Sequence, residues 1–148
     1  MHIPPPLIAG ALGAAMKLAA DAAPMLNYRF PRQGFAAIAL LVVGLMIALI
    51  GVAQFRNYRT TVNPIRPEKA SSLVTDGIFK WTRNPMYLGL LMVLLAWAVW
   101  LGNGAAVLIG LTFVPLLTKL QIIPEETALL EKFGQPFQDY LNRTRRWL

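Results

Sequence analysis

The sequence has no cysteine and a single histidine, His2, among its 148 residues. Disulfide bonds, thiolate metal sites and cysteine nucleophiles are therefore excluded, and we expect neither histidine-based catalysis nor a zinc site. Charged side chains are also scarce, at 14% of the residues, compared with about 25% in a soluble domain. Hydrophobic residues make up 56% and fall in long blocks, which indicates an integral membrane protein.

Acidic residues are few as well: there are 7, against 14 basic ones, and the net charge is +7. Such a balance is typical of proteins that bind nucleic acid, anionic lipid or anionic ligands. No basic stripe is interleaved with aromatic residues, so we expect no nucleic-acid partner. The length predicts one domain, residues 1–148, without internal repeats.

The apolar blocks predict an all-α integral membrane fold with four crossing helices, at about residues 6–23, 33–55, 85–101 and 105–122. The second block carries no charge and, at about 1.5 Å per residue, can cross a bilayer core of about 30 Å. Residues 84–118 are uncharged too, but this stretch is too long for one crossing. The turn-forming sequence "GNG" divides it into a tight antiparallel hairpin.

The N-terminal block, 6–23, differs from the others because Lys17 and Asp21 interrupt it. The two residues are four apart, so they can pair on one helix face near a membrane surface. We interpret the block as a first crossing. A cleaved signal peptide is an alternative, although the basic start that such a peptide needs is missing. An interfacial helix is the other alternative.

The lysines and arginines between the blocks predict the orientation of the chain. Most of them lie in the loop 56–84 and the tail 124–148, whereas the "GNG" turn has none. We therefore expect a multi-pass protein of a bacterial inner (plasma) membrane, with both termini, this loop and the tail in the cytoplasm. The tail is amphipathic, starts at Pro124, and is expected to be broken into two short helices by Gly134 and Pro136.

The hairpin brings two polar stretches together at the cytoplasmic end: "RNPMYLG", residues 83–89, and "QIIPEE", residues 121–126. An arginine can clamp a carboxylate through two contacts, and a glutamate can accept hydrogen bonds from an ammonium or from ribose hydroxyls. Polar groups at membrane depth are costly and tend to mark function. The pattern predicts a site for a ligand with both signs of charge, such as an amino-acid-bearing nucleotide.

Each of these residues also has an ordinary structural interpretation. Arg83 can be an anchor at the membrane edge, and the pairs Asn84–Pro85 and Glu125–Glu126 are typical of helix starts. The four tryptophans are typical of interface or packing positions rather than of a cofactor site. The hydroxyl of Tyr87, in the first turn after Pro85, is the hardest to account for in this way.

The segment "LVTDGIFKWTRNPMYLG" resembles the glycine–x–tyrosine … arginine–histidine–proline–x–tyrosine–x–glycine signature of isoprenylcysteine carboxyl methyltransferases. The segment "PEETALLEKFGQPFQDYLNRTRRWL" resembles their C-terminal pattern, and together the resemblance covers about residues 35–148. Phe79 and Asn84 depart from it, standing where the family has tyrosine and histidine. "NPMY" is instead similar to the related phospholipid N-methyltransferases. The resemblance implies an integral-membrane methyltransferase that uses S-adenosyl-L-methionine and releases S-adenosyl-L-homocysteine.

The resemblance also implies the residues of the site. The implied cofactor shell consists of Arg83, Asn84, Pro85, Tyr87, Gly89, Gln121, Glu125, Glu126, Tyr140 and Arg143. Catalytic roles are implied for Arg56 or Arg59 in orienting a carboxylate, and for Glu126 as a base toward an amine. The acceptor is expected to be an amphipathic or lipid-like molecule that enters from the bilayer, either an isoprenylcysteine-like carboxylate or a lipid amine. No metal is required, because the sulfonium donor is already activated.

Two functions of other classes remain open at this point. Some membrane reductases that use a nicotinamide cofactor share the C-terminal architecture, but this chain is short for that cofactor and has no glycine-rich phosphate loop. A non-enzymatic small membrane protein is the other alternative. Such a protein has no need for acidic and basic residues gathered at one end of a hairpin.

Overall fold

The computed structural model describes residues 3–58 and 72–148, and its secondary structure there is helical apart from an isolated bridge between Asn27 and Asn103. The α-helices in chain order are Pro5–Ala22 (α1), Gln33–Asn57 (α2), Pro85–Leu101 (α3), Gly104–Leu111 (α4), Phe113–Leu117 (α5), Ile123–Phe133 (α6) and Gln135–Arg143 (α7). A π-helical turn, Thr118–Ile122, joins α5 to α6. A 3₁₀ turn, Gly77–Lys80, precedes α3. The predicted all-α fold is confirmed, and part of the predicted loop lies outside the described residues.

Two helical stretches are long and apolar enough to cross a membrane: α2, with a mean hydropathy of 2.9, and Gly104–Phe133, with a mean hydropathy of 1.9. A core helix of a soluble protein can be as long and apolar, but it is mostly buried. Only 17% of the apolar window of α2 is buried within the chain, as expected of a helix that faces lipid. The crossings predicted for 6–23 and 85–101 stay predictions.

Helices α2 and α3 pack closely along their length, through small residues. A Cβ atom added to Gly89 would lie 2.6 Å from the carbonyl oxygen of Gly44, and one added to Gly44 would lie 2.9 Å from the carbonyl oxygen of Gly89. Helix backbones approach this closely only where side chains are absent or very small. This contact fixes the first turns of α3, which carry the predicted site, against α2.

The "GNG" sequence forms the predicted turn of the hairpin. Gly102 ends α3 with φ of 61°, in the left-handed region that glycine adopts without strain. Asn103 is fully buried and caps α4, since its side-chain oxygen accepts a hydrogen bond of 2.9 Å from the amide of Ala105. Its amide group donates to the carbonyl of Ala23 (2.8 Å) and to the side chain of Asn27 (2.7 Å). The turn is therefore tied to the end of α1.

Replacing Asn103 by alanine is expected to lower the free energy of unfolding by about 1–3 kcal/mol, because the first turn of α4 loses its cap and the acceptors on Ala23 and Asn27 lose their donor. Asn103→Asp keeps the capping oxygen but cannot donate, so it should recover only part of the loss. Thermal denaturation of the detergent-solubilised variants measures both effects. A wild-type melting temperature for Asn103→Ala would contradict this account of the turn.

The tail continues directly from the helix before it. Pro124 stands in the first turn of α6, as expected, and the π-helical turn Thr118–Ile122 joins α5 to α6 without a loop. Pro124 has no N–H to donate, and the wider π-helical turn before it lets the backbone pass without that donor. Glu125 and Glu126 therefore lie in the first turn of α6, within a longer helical stretch.

The predicted break further along the tail is confirmed. Helix α6 ends at Phe133, Gly134 has φ of 62°, and α7 begins at Gln135. Helix α7 turns its apolar face toward the segment before α3, where Phe137 and Tyr140 are buried against Val74 and Phe79. A larger cluster, which includes Met16, Leu94 and Phe113, joins α1 to the two arms of the hairpin. The predicted site lies between these two clusters.

An apolar groove of about 790 Å³ opens between α1 and α2, with α3 as its floor. Its lining includes Gly13 of α1, Ile38 of α2 and Trp97 of α3, and the indole of Trp97 donates to the carbonyl of Gly13 (3.0 Å). Lys17 lies at its edge and pairs with Asp21 at 2.6 Å, as their spacing predicts.

Candidate functional site

The two polar stretches predicted to meet do meet, where α3 begins beside α6. Arg83 lies two residues before the start of α3, and its guanidinium donates to Oε1 of Glu126 through Nη2 (2.8 Å) and Nε (3.2 Å). Both side chains are mostly buried, with 11% and 15% of their surface exposed. Removing one partner of such a mostly buried pair would leave an uncompensated charge, which is strongly destabilising.

A second contact joins the first turns of the same two helices. The hydroxyl of Tyr87, a buried residue of α3, donates to Oε1 of Glu125 at 2.5 Å. The proline at the start of α3, Pro85, is buried and sets the first turn from which Tyr87 projects. We call Arg83, Tyr87, Glu125 and Glu126 the polar cluster.

The C-terminal segment, residues 144–147, closes the polar cluster from a third side. Nη1 of Arg83 donates to the carbonyl of Leu141 (3.1 Å) and to the carbonyl of Thr144. Arg146 donates to Glu126 as well, from Nη2 to Oε2 (2.6 Å) and from Nε to Oε1 (3.1 Å). The hydrogen bond to Glu126 raises the pKa of Arg146 above its ordinary value.

Asn84 also contacts the C-terminal segment. Its side-chain amide donates to the carbonyl of Arg146 at 2.9 Å, and its backbone amide donates to the hydroxyl of Thr82 at 3.2 Å. Thr82 is buried, and its hydroxyl donates to the same carbonyl at 3.4 Å. The residue that stands where the resemblance has a histidine therefore ties the start of α3 to the tail.

Gln121 supplies a buried acceptor without a partner. Its amide nitrogen donates to the carbonyl of Ile3 at 2.6 Å, while its side-chain oxygen accepts no hydrogen bond from any residue that the structure describes. The side chain is almost fully buried. Buried polar atoms are seldom left unpaired, so this oxygen is a place where a ligand can donate a hydrogen bond.

Three further residues of the predicted shell are held by contacts of their own. Gly89 packs against Gly44 on α2. The hydroxyl of Tyr140 donates to the carbonyl of Phe79 at 2.8 Å, and burial raises the pKa of this tyrosine above its ordinary value. The guanidinium of Arg143 lies 5.9 Å from the centre of the Tyr140 ring. The hydrogen bond of Tyr140 holds α7 against the segment before α3, whereas the contact of Arg143 lies within α7.

The structure shows no hydrogen bond between the polar cluster and Arg56, one of the two predicted acceptor-orienting residues. Arg56 is exposed in the last turn of α2 and has no hydrogen bond or ion pair with another described residue. Arg59 lies outside the described residues. Near Arg56, the hydroxyl of Tyr58 donates to the carboxylate of Asp76, which lowers the pKa of Asp76 below its ordinary value. This contact ties the end of α2 to the segment that leads into α3.

Sequence reasoning missed Thr82 and Arg146. The sequence "RTRRWL" offers three arginines in four positions, and charge alone does not tell which of them turns inward. Thr82 directly precedes the arginine–asparagine pair, and a small hydroxyl at that place is an ordinary partner for the start of a helix. This position was the one indication in the sequence that Thr82 belongs to the site.

The donors and acceptors of the site are complementary to a ligand with both charge signs. Arg83 and Arg146 face the two carboxylates of Glu125 and Glu126, and Nη1 of Arg146 makes no hydrogen bond to a described residue, so its N–H groups can bind an anionic group. The second oxygen of Glu125 and the free oxygen of Gln121 accept hydrogen bonds from amines or hydroxyls. Carboxylates within reach of a bound amine can also act as general bases.

Comparisons with known proteins identify the family of the chain. A family model described as phospholipid methyltransferase matches residues 33–136, which include α2, α3 and the acids of α6. An uncharacterized protein of Haemophilus influenzae is 48% identical over 63 residues, which are 43% of this chain and 100% of that protein. No solved structure matches.

Two similar proteins are described as protein-S-isoprenylcysteine O-methyltransferases. The one from Schizosaccharomyces pombe is 25% identical over 116 residues, and the one from Tribolium castaneum is 30% identical over 112 residues. The matches cover 78% and 66% of this chain but 49% and 37% of those proteins. The chain thus spans half or less of the length of these two relatives.

Proposed function

Because this chain belongs to the phospholipid methyltransferase family, we propose that it is an integral-membrane enzyme that uses S-adenosyl-L-methionine to methylate an amphipathic or lipid-like acceptor. The proposed reaction takes place at the cytoplasmic face, at the polar cluster. The main support for this proposal is one observation. Arg83 and Glu126, 43 residues apart in sequence, form a mostly buried ion pair at the end of an apolar hairpin.

The residues of the polar cluster, together with Gln121 and Arg146, fit the chemical groups of this cofactor. The guanidinium groups of Arg83 and Arg146 suit its carboxylate. Its amines and ribose hydroxyls are donors, and the free oxygens of Gln121 and Glu125 are the acceptors they require. When bound, the cofactor supplies a methyl group on a sulfonium, which needs no metal for its activation.

The chain's own residues have separate tasks in this proposal. Arg83 and Glu126 are held rigidly and serve to bind and orient, which can contribute several kcal/mol to methyl transfer through positioning. Glu126 was expected to act as the base, but two guanidinium groups already engage its oxygens. Glu125, whose single described partner is Tyr87, is better suited to take a proton from an amine acceptor.

The acceptor's reacting group is proposed as a carboxylate or an amine. The relatives from Schizosaccharomyces pombe and Tribolium castaneum are named for isoprenylcysteine, whereas the family is named for phospholipids. A carboxylate is already nucleophilic at neutral pH, and Arg56 or Arg59 is proposed to orient it. The groove between α1 and α2 supports entry of an apolar tail from the side, next to the helix that carries Tyr87.

A methyl-transfer assay tests this proposal and separates the two acceptors. Membranes containing the protein would receive S-adenosyl-L-methionine labelled in its methyl group, and the label in the lipid extract would be counted. We expect labelling that the Asn84→Ala/Glu126→Ala variant loses. Label released by mild alkali identifies a methyl ester, and alkali-stable label identifies a methylated amine. No labelling by a well-folded wild type in lipid extracts of its own host, together with binding of NADPH, would support the reductase alternative instead.

A further inference from the structure

Arg146 reaches back from the end of the chain into the polar cluster. Its guanidinium contacts both oxygens of Glu126, at 2.6 Å and 3.1 Å, while Arg83 contacts the same carboxylate from the start of α3. A two-pronged contact of this kind fixes the plane of a carboxylate as well as its position. Without Arg146, Glu126 would keep one guanidinium partner and one free oxygen.

The backbone of the same residue holds a second part of the site. The carbonyl oxygen of Arg146 accepts hydrogen bonds from the side chains of Asn84 (2.9 Å) and Thr82 (3.4 Å). One residue of the tail is therefore bound to α6 through its side chain and to the start of α3 through its main chain. These are the two elements that carry the polar cluster.

Thr144 and Trp147, which flank Arg145 and Arg146, also contact other parts of the chain. The carbonyl of Thr144 accepts from Arg83, and Thr144 itself is buried. The indole of Trp147 donates to the hydroxyl of Thr118 at 3.1 Å and packs edge-on against Phe113. Arg145, by contrast, is exposed, and its side chain has no hydrogen bond or ion pair with any described residue.

We propose that Arg146 is a positioning residue of the cofactor site, which acts by fixing the carboxylate of Glu126 between two guanidinium groups while its carbonyl fixes Asn84. This inference rests on the proposed function. Its consequence is a difference between neighbouring arginines: Arg146 sets the affinity for the cofactor, and Arg145 does not, although both carry the same charge on the same segment.

Calorimetry with S-adenosyl-L-homocysteine on the detergent-purified full chain tests the proposal. For Arg146→Gln, losing a hydrogen-bonded charge contact should raise Kd about tenfold or more. The matched control Arg145→Gln removes the same charge, and its Kd should stay within about twofold of wild type because only long-range electrostatics change. Arg146→Lys should fall between, since lysine keeps the charge but lacks the fork.

A double-mutant cycle distinguishes positioning through Glu126 from an independent role. If Arg146 acts through Glu126, the double variant Glu126→Gln/Arg146→Gln should bind no more weakly than Glu126→Gln alone. Additive losses would overturn the proposal, and so would wild-type affinity of Arg146→Gln. Melting temperatures, recorded alongside, show whether each variant is folded at the temperature of the titration. If Arg146→Gln is not folded, Arg146→Lys takes its place in the cycle. Failure of the wild type itself to bind would instead count against the proposed function.

Discussion

Replacing Arg83 by alanine is expected to abolish cofactor binding and to cost about 3–5 kcal/mol of stability, the usual result of breaking a buried ion pair by removing one partner. The side chain joins three parts of the chain, because it donates to Glu126 on α6 and to the carbonyls of Leu141 and Thr144 at the end of α7. Denaturation in detergent measures the stability, and calorimetry with S-adenosyl-L-homocysteine measures the binding.

Two variants make the Arg83 result specific. Arg83→Lys keeps the positive charge but cannot reach all three acceptors with a planar fork, so it should recover stability only in part. Lys80→Ala removes an exposed charge three residues earlier and should leave both quantities unchanged. Near-wild-type stability of Arg83→Ala would mean that the residue is the membrane-edge anchor of the alternative interpretation.

Replacing Gly89 by alanine is expected to be the second most damaging change. Its Cβ would lie 2.6 Å from the carbonyl oxygen of Gly44 and 2.7 Å from the Cβ of Ala48, so α3 must move away from α2. Overpacking of this kind costs about 1–3 kcal/mol. The resulting shift in the first turns of α3 should also weaken binding of S-adenosyl-L-homocysteine.

Gly10→Ala is the matched control for Gly89→Ala. A Cβ added to Gly10 meets no atom within 4 Å, and the residue lies inside α1. Alanine stabilises a helix relative to glycine by about 1 kcal/mol, so this variant should melt at or slightly above the wild-type temperature. Equal melting temperatures for the two alanine variants would contradict the close α2–α3 contact.

Much of the fold could be predicted from the sequence, because the determining features are local. Uncharged blocks bounded by charges indicate the helices, and the "GNG" sequence combines a left-handed glycine with a capping asparagine. Once that turn is fixed, Arg83 and Glu126 must approach each other, since they lie at the same end of a hairpin. The family resemblance carried by "RNPMYLG" is confirmed by the match to the phospholipid methyltransferase family.

The features that could not be predicted depend on how elements pack. A proline usually indicates a helix start, but the π-helical turn Thr118–Ile122 allows the helix to continue through Pro124. The side chain of Arg146 points toward Glu126 in a segment that is anchored by the contacts of Trp147 with Phe113 and Thr118. These contacts join distant parts of the chain. Neither the π-helical turn nor the orientation of Arg146 is indicated by a residue spacing or a residue type in the sequence.

The central claim, that the polar cluster binds S-adenosyl-L-methionine, is tested most directly by titrating S-adenosyl-L-homocysteine into detergent-purified wild type and into the Asn84→Ala/Glu126→Ala variant. We predict micromolar binding by the wild type and none by the variant, with both proteins folded by circular dichroism. Absence of binding by the folded wild type, or equal binding by both proteins, would contradict the account.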